Sequence, residues 1–199
     1  EGVLIPRPET EELVQWIAAD CAGIAGVCLL DIGTGSGAIA VALSRLLVAP
    51  TVDAADISPD ALVFAAENAA VNGATVHFVQ ADATAPYDTF AGLLPRHRYD
   101  VVVSNPPYIP RSEYASMRDN VRLYEPAGAL FVEDADPLLF YRAIGEYAVK
   151  TLKEDGRLYV EINRAYGWET TRLFQSLGLR DVTLKKDFYD NERMIRCRK

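Results

Sequence analysis

Asn105, Pro106, Pro107 and Tyr108 follow the apolar run Val101-Val102-Val103, and together they could hold a planar nitrogen still. Two successive prolines fix φ and remove two backbone donors, and the residue before a proline is pushed to extended geometry. Asn105 and Tyr108 are therefore mounted in a stiff loop. The Asn105 side-chain oxygen and the Pro106 carbonyl are two acceptors in that frame, and Tyr108 offers a flat face. The lone pair of an amide or of a nucleobase amine is delocalised and a poor nucleophile. If fixed acceptors bind both of its N–H groups, the nitrogen can rehybridise and direct its lone pair at an electrophilic methyl group. Orientation of this kind supplies up to about 7–11 kcal/mol in ideal cases. No ionisable base is required at the start, which suits a chain whose two histidines, His77 and His97, stand far apart. The plainer reading of these four residues is a proline-rich loop that only shapes the backbone.

A second group of residues reads as a cofactor site. Gly33-Thr34-Gly35-Ser36-Gly37 lies between an apolar strand and a helical segment, so backbone amides can approach a ligand closely. Asp56 ends the next strand, where an acid suits the hydroxyls of a ribose. Asp82 ends the third strand and can accept from the exocyclic amine of an adenine, or else brace its own loop. Asp31 precedes the glycines and either orders their amides or reaches an amino group of the ligand. The glycine loop alone fits both NAD and S-adenosylmethionine. The Asn105–Tyr108 segment points to S-adenosylmethionine.

These residues need elements to carry them. Strands are expected at 27–32, 51–56, 76–80, 99–104 and 157–162. Helices are expected from Pro8 to about Ala22, Ala38 to about Leu47, Ser58 to about Asn72, Pro137 to about Leu152, and over 166–177. Ser58 serves as N-cap with Pro59 at the first helical position. Alternating strands and helices imply a parallel sheet covered on both faces. Strands at 180–186 and 192–198 follow each other closely and should form an antiparallel hairpin at one end. A polar, Pro-containing link leads to the strand that begins at Tyr99. Residues 109–136 read as an irregular insertion, placed to act as a substrate-facing lid.

Composition narrows the function classes. At 199 residues, half of them hydrophobic, one sizeable core is the natural expectation. The net charge of −8 argues against a broad nucleic-acid surface. Lys185, Lys186, Arg193, Arg196, Arg198 and Lys199 crowd the last segment and read as a solvated strand edge. Cys21, Cys28 and Cys197 match no metal or redox spacing and read as buried free thiols, which fits a cytoplasmic protein. No apolar run approaches the length of a membrane span.

Gly33–Gly37, Asp56 and Asn105–Tyr108 together resemble the class I S-adenosylmethionine-dependent methyltransferases that modify planar nitrogen. Within these, the chain resembles the HemK/PrmC family, the peptide chain release factor glutamine methyltransferases. The segments Val3-Leu4-Ile5-Pro6-Arg7-Pro8-Glu9-Thr10-Glu11 and Asp56-Ile57-Ser58-Pro59-Asp60-Ala61-Leu62 carry that likeness further. So do Glu125-Pro126, Ala129-Leu130 and Tyr141-Arg142. The resemblance implies a class I α/β fold, a mostly parallel seven-stranded sheet with helices on both faces and an antiparallel C-terminal strand. It implies methylation of the glutamine amide in the Gly-Gly-Gln motif of class 1 release factors.

The resemblance also carries roles to particular residues. Gly33, Thr34, Gly35, Ser36, Gly37, Asp56 and Asn105 become contacts to S-adenosyl-L-methionine, beside Asp31 and Asp82, with Ala83 lining the adenine pocket. Asn105, Pro106, Pro107 and Tyr108 become the glutamine site. Arg7 and Thr10 are expected to pack nearby. The family's N-terminal helical domain has no counterpart, so residues 1–199 are expected to be one catalytic domain, a piece of something longer. Glu161-Ile162-Asn163 departs from the family pattern of Glu-Ile-Gly. The alternative substrate is an exocyclic amine of adenine or guanine in a nucleic acid; the acidic balance and Pro6–Thr10 favour protein.

Overall fold

The computed structural model of the chain describes residues 3–116 and 130–199. Helix α1 (Pro8–Asp20) leads into strand β1 (Cys28–Ile32), followed by α2 (Ala38–Leu46), β2 (Thr51–Asp56), α3 (Pro59–Val71) and β3 (His77–Gln80). Then come α4 (Tyr87–Leu93), β4 (Tyr99–Ser104), α5 (Leu139–Thr151), β5 (Leu152–Glu161), α6 (Gly167–Ser176), β6 (Arg180–Lys186) and β7 (Glu192–Arg198). The strands form one seven-stranded sheet in the order β3-β2-β1-β4-β5-β7-β6. Strands β1 to β5 pair in parallel, and β7 runs antiparallel to both its neighbours, β5 and β6. The final hairpin thus lies at one end of the sheet, as its short connection predicts, with β7 inside and β6 on the edge.

Side chains alternate across a strand, so each strand feeds two cores. Leu30, Ile32, Val102, Leu158 and Val160 face Phe90 of α4, Tyr141 and Ile144 of α5 and Phe174 of α6. Leu29, Val52, Val101, Val103 and Tyr159 face Leu13 and Ile17 of α1 and Ile39 and Leu43 of α2. Parallel strands covered on both faces have no polar side to spare, which is why their sequences run apolar without alternation. Among the described residues no helix is long and apolar enough to cross a membrane.

Several elements differ from the sequence expectation. The link before β4 contains α4, whose Phe90 and Ala91 are buried; one short helical turn pair gives too few positions for a period to stand out. Strand β5 begins at Leu152, before the expected Arg157. Leu152 pairs with Tyr99 and Arg157 with Val101, so residues 153–156 bulge out of the ladder. Within the supposed insertion, Ile109–Pro110 pairs with Phe131–Val132, and a 3-10 turn covers Arg111–Ser116. The Asp134 carboxylate fastens that turn by accepting from the Ser112 amide (3.0 Å) and hydroxyl (2.8 Å). The rest of the expected lid, with Glu125, Pro126 and Ala129, lies outside the described residues.

The basic C-terminal stretch is not simply a solvated edge. Arg196 donates to Asp20 of α1 at 2.8 Å, and Arg193 to Asp187 at 3.1 Å. The Arg196 guanidinium and the Lys185 ammonium lie 5.1 and 4.9 Å from the Trp16 ring centroid. Two of the cysteines, Cys21 and Cys197, are buried thiols as expected, and Cys28 is half-buried. Burial pushes the Cys197 thiol up to about 12.

A buried acid that the sequence reading passed over braces the other end of the sheet. Asp53 of β2 is fully buried; it accepts from the Tyr99 hydroxyl at 2.9 Å and is paired with Arg96. Tyr99 is itself fully buried. Replacing Tyr99 with Phe should therefore destabilise the chain by about 1–3 kcal/mol, the cost of removing a hydrogen bond to a buried charge. Cofactor affinity should be unchanged, because this cluster sits at the N-terminal end of β4. Urea unfolding and a cofactor titration of Tyr99→Phe check both parts.

Candidate active site

The C-terminal ends of β1, β2, β3 and β4 bring the expected residues together. Ile32 pairs with Ser104 across β1 and β4, and the Ser104 hydroxyl donates to the Ile32 carbonyl at 2.6 Å. The glycine loop after β1 and the Asn105–Tyr108 loop after β4 are thus neighbours. This is the crevice at which strand order reverses, where open α/β sheets bind ligands.

The loop is held by its own backbone and by three acids or amides. Gly33, Gly35 and Gly37 all have positive φ (72°, 55° and 80°). Gly37 also packs on α3: a Cβ there would lie 3.0 Å from the Ala65 Cβ. At Gly33 and Gly35 a Cβ would meet nothing within 4 Å among the described residues, which leaves room beside them for a ligand. The Gly33 and Thr34 amides donate to the Ala55 carbonyl at 2.8 and 3.0 Å, and Asn68 donates to the Ser36 carbonyl at 2.9 Å. Asp56 accepts from the Gly35 amide with one oxygen and from the Ser58 amide with the other, at 2.8 and 2.9 Å. It retains lone pairs for a further donor.

Asp31 is fully buried and accepts the Thr34 hydroxyl at 2.7 Å through Oδ2. Its Oδ1 is buried with no partner among the described residues. Burial pushes its carboxyl up to about 7, opposed by the hydrogen bond from Thr34, with the charge of Asp56 adding to the rise. Such an acceptor is what a cationic amino group would satisfy. Asp82 spends one oxygen on the Thr84 amide and hydroxyl, at 2.8 and 2.7 Å. Loop bracing therefore accounts for half of that carboxylate. Asp82 and Ala83 adjoin Asp56 through the Ala81 amide, which donates to the Asp56 carbonyl at 2.9 Å. An open glycine cradle, an unpartnered buried acid and a second acid at the next strand end fit S-adenosylmethionine.

On the β4 side, Pro106 is buried and Tyr108 half-buried. Asn105 donates through Nδ2 to Thr10 Oγ1 at 3.2 Å, and its Oδ1 is buried without a partner among the described residues. Thr10 donates to Glu161 Oε2 at 2.7 Å, and the Tyr108 hydroxyl donates to Glu161 Oε1 at 3.1 Å. Glu161 is buried, and that burial raises its carboxyl above the usual range against the hydrogen bonds from Thr10 and Tyr108. Asn163 donates to the Tyr108 carbonyl at 3.1 Å and fixes the far end of the loop. Arg7 stands at the N-cap of α1, its carbonyl accepting from the Thr10 and Glu11 amides at 3.1 and 3.3 Å.

Glu161 and Asn163 were missed as site residues. The signal was present: Glu161 is a charged residue at the end of the otherwise apolar run Leu158-Tyr159-Val160, and a charge is almost never fully buried unless paired.

A fold of this order with this site defines a methyltransferase. The family model described as "Methyltransferase small domain" matches residues 10–128. A release factor glutamine methyltransferase of Flavobacterium psychrophilum is 44% identical over 199 residues, covering 98% of this chain and 68% of that protein. One of Lactococcus lactis is 42% identical, covering 98% of this chain and 69% of that protein. The chain belongs to the release factor glutamine methyltransferase family and spans about two thirds of the length of these relatives. Its fold is similar to that of a release factor-specific protein-(glutamine-N5) methyltransferase from Alicyclobacillus acidocaldarius, with a TM-score of 0.60 at 23% identity over 98% of this chain and 94% of that one.

The buried acid sets a stability prediction. An unfolded Asp31 titrates near 3.8 and the folded one near 7, so between these values the folded chain binds more protons than the unfolded one. Stability must fall as pH rises through that window, and the cost is fully present above it. Asp31→Asn should raise Tm at pH 8, on the scale of about 2–4 °C for each kcal/mol relieved in a chain of this size. The gain should vanish near pH 4. Thermal melts of both proteins across pH test this; a gain independent of pH contradicts it.

Proposed function

We propose that this chain transfers a methyl group from S-adenosylmethionine to the side-chain amide nitrogen of the glutamine in the Gly-Gly-Gln motif of class 1 peptide chain release factors. The observation that carries the reading is the Oδ1 of Asn105, buried and without a partner among the described residues, in a proline-stiffened loop beside a glycine cradle. The name carried by the similar proteins, release factor glutamine methyltransferase, supports the choice of substrate.

In this reading Gly33, Thr34, Gly35, Ser36 and Gly37 cradle the cofactor. Asp31 accepts from its amino group, Asp56 from its ribose, and Asp82 with Ala83 borders its adenine. Bound S-adenosylmethionine supplies an electrophilic methyl group. Asn105 Oδ1 and the Pro106 carbonyl accept the two N–H groups of the glutamine amide and so fix its plane. Pro107 keeps that frame rigid, and the Tyr108 ring lies flat against the amide. Held this way, the nitrogen directs its lone pair out of the amide plane. With the cofactor bound, the N–C bond would form there as the methyl–sulfur bond of the sulfonium breaks to leave neutral S-adenosylhomocysteine, and one N–H hydrogen would leave as a proton. A protein substrate agrees with the net charge of −8, since phosphate backbones need a basic surface.

Asn105→Ala should keep the fold and lower turnover by roughly two orders of magnitude or more, the scale of losing one preorganised polar contact. Near-wild-type turnover in that variant, with circular dichroism unchanged, would sink the role. Asp31→Asn should weaken cofactor binding roughly tenfold, the scale of one charge-assisted hydrogen bond, as read by calorimetry with S-adenosylhomocysteine. The substrate is tested by incubating the intact protein with labelled cofactor, a release factor, tRNA, rRNA and DNA, and locating the label by mass spectrometry. Label on the glutamine amide is expected; label on a base alone would overturn the substrate.

A further inference from the structure

The Asn105 side chain has two ends of nearly the same shape and opposite hydrogen-bonding character, and only one of them can serve a substrate N–H. Resting on the reading above, we infer that the buried carboxylate of Glu161, acting through the hydroxyl of Thr10, dictates which end of Asn105 faces the substrate. Glu161 and Thr10 are positioning residues for the methyl transfer.

The argument is one of proton count. The hydroxyl donors on both oxygens of Glu161 and the nearby Arg193 charge favour its ionised form, and an ionised carboxylate can only accept. Glu161 Oε2 lies 2.7 Å from Thr10 Oγ1, so the single hydroxyl proton of Thr10 is committed to it. Thr10 Oγ1 then has only lone pairs to offer Asn105, 3.2 Å away. The Asn105 atom facing it must be the donor, Nδ2. The opposite atom, Oδ1, is left buried with no partner among the described residues, aligned to accept. Turning the amide over would set Oδ1 against an oxygen with no proton to give. It would also turn two N–H donors toward a substrate NH2 group that itself only donates.

The second oxygen of Glu161 is occupied in the same sense. The Tyr108 hydroxyl donates to Oε1 at 3.1 Å, so the carboxylate fixes both walls of the substrate site, the acceptor and the flat ring. Thr10 and Glu161 are both buried, so water cannot freely take the place of either partner. The strand and helix that supply them lie far apart in sequence, and the polarity of the site depends on both arriving.

The test separates polarity from packing. Thr10→Val keeps the shape and removes the proton; Thr10→Ser keeps the proton and removes a methyl group. Thr10→Val should lower kcat about tenfold or more while KM and the Kd for S-adenosylhomocysteine hold, since a wrongly turned amide removes a transition-state contact rather than a binding surface. Thr10→Ser should restore most of the rate. Glu161→Gln, which offers one donor and one acceptor where two acceptors stood, should also lower kcat, and it decides the matter should Thr10→Val fail to fold. Wild-type kcat in both Thr10→Val and Glu161→Gln, or equal losses in Thr10→Val and Thr10→Ser, would overturn the inference. Each variant is assayed on whichever substrate the wild-type protein methylates. A wrong substrate assignment therefore shows in the wild-type label, and a wrong polarity argument shows only in the variants.

Discussion

The pairing of β1 with β4 is the constraint on which the rest depends. In the chain these strands lie about seventy residues apart, with β2 and β3 between them, yet the sheet sets them side by side. Strand order reverses at this seam, so the loops that leave β1 and β4 are not covered by a common crossover, and a crevice opens between them. One loop carries the glycines and the other carries Asn105. The Ser104 hydroxyl on the Ile32 carbonyl locks the two strand ends in register at the last position before both loops depart. A slip of one residue would turn every side chain of β4 to the other face and would carry Asn105 away from the glycine loop.

The fold was legible because its signals are long-range regularities. Buried parallel strands read as Val, Ile and Leu runs, and Ser58-Pro59 marks a helix start that the structure keeps, with the Ser58 hydroxyl accepting from the Ala61 amide at 3.2 Å. Helix α4 and the early start of β5 escaped notice because each is short or interrupted, and tertiary packing rather than periodicity defines it. In the site, the glycines, Asp31, Asp56 and Asn105 could be found because their chemistry is local to one loop. Asp82 was harder, since loop bracing and ligand binding ask for the same residue. Glu161 stands out as a charge ending an apolar strand, but the partners that give it meaning, Thr10 and Tyr108, are distant in sequence.

The site also shows how function and stability compete within a few ångströms. Asp31 and Glu161 are both carboxylates withdrawn from water, and both have their titration raised by burial. Among the described residues Glu161 has a hydroxyl donor on each oxygen, whereas Asp31 has one oxygen with none. Among the described residues, an unpartnered acceptor thus faces each side of the crevice, Asp31 Oδ1 by the glycine loop and Asn105 Oδ1 by the proline loop, with the satisfied Glu161 network behind the second. Binding of a cation would relieve the first without disturbing the second.

The place of β7 has a consequence for the order in which the molecule is assembled. Strand β5 carries Glu161, and its outer edge is closed only by β7, where Glu161 pairs with Met194. β7 is the last of the seven strands to leave the ribosome, yet it lies inside the sheet. Until it inserts between β5 and β6, β5 presents a row of unpaired backbone groups, the kind of edge that templates association with other chains. The cofactor half of the sheet, by contrast, is built from strands synthesised early and next to one another. Nascent chains should thus acquire the cradle first and the substrate wall last.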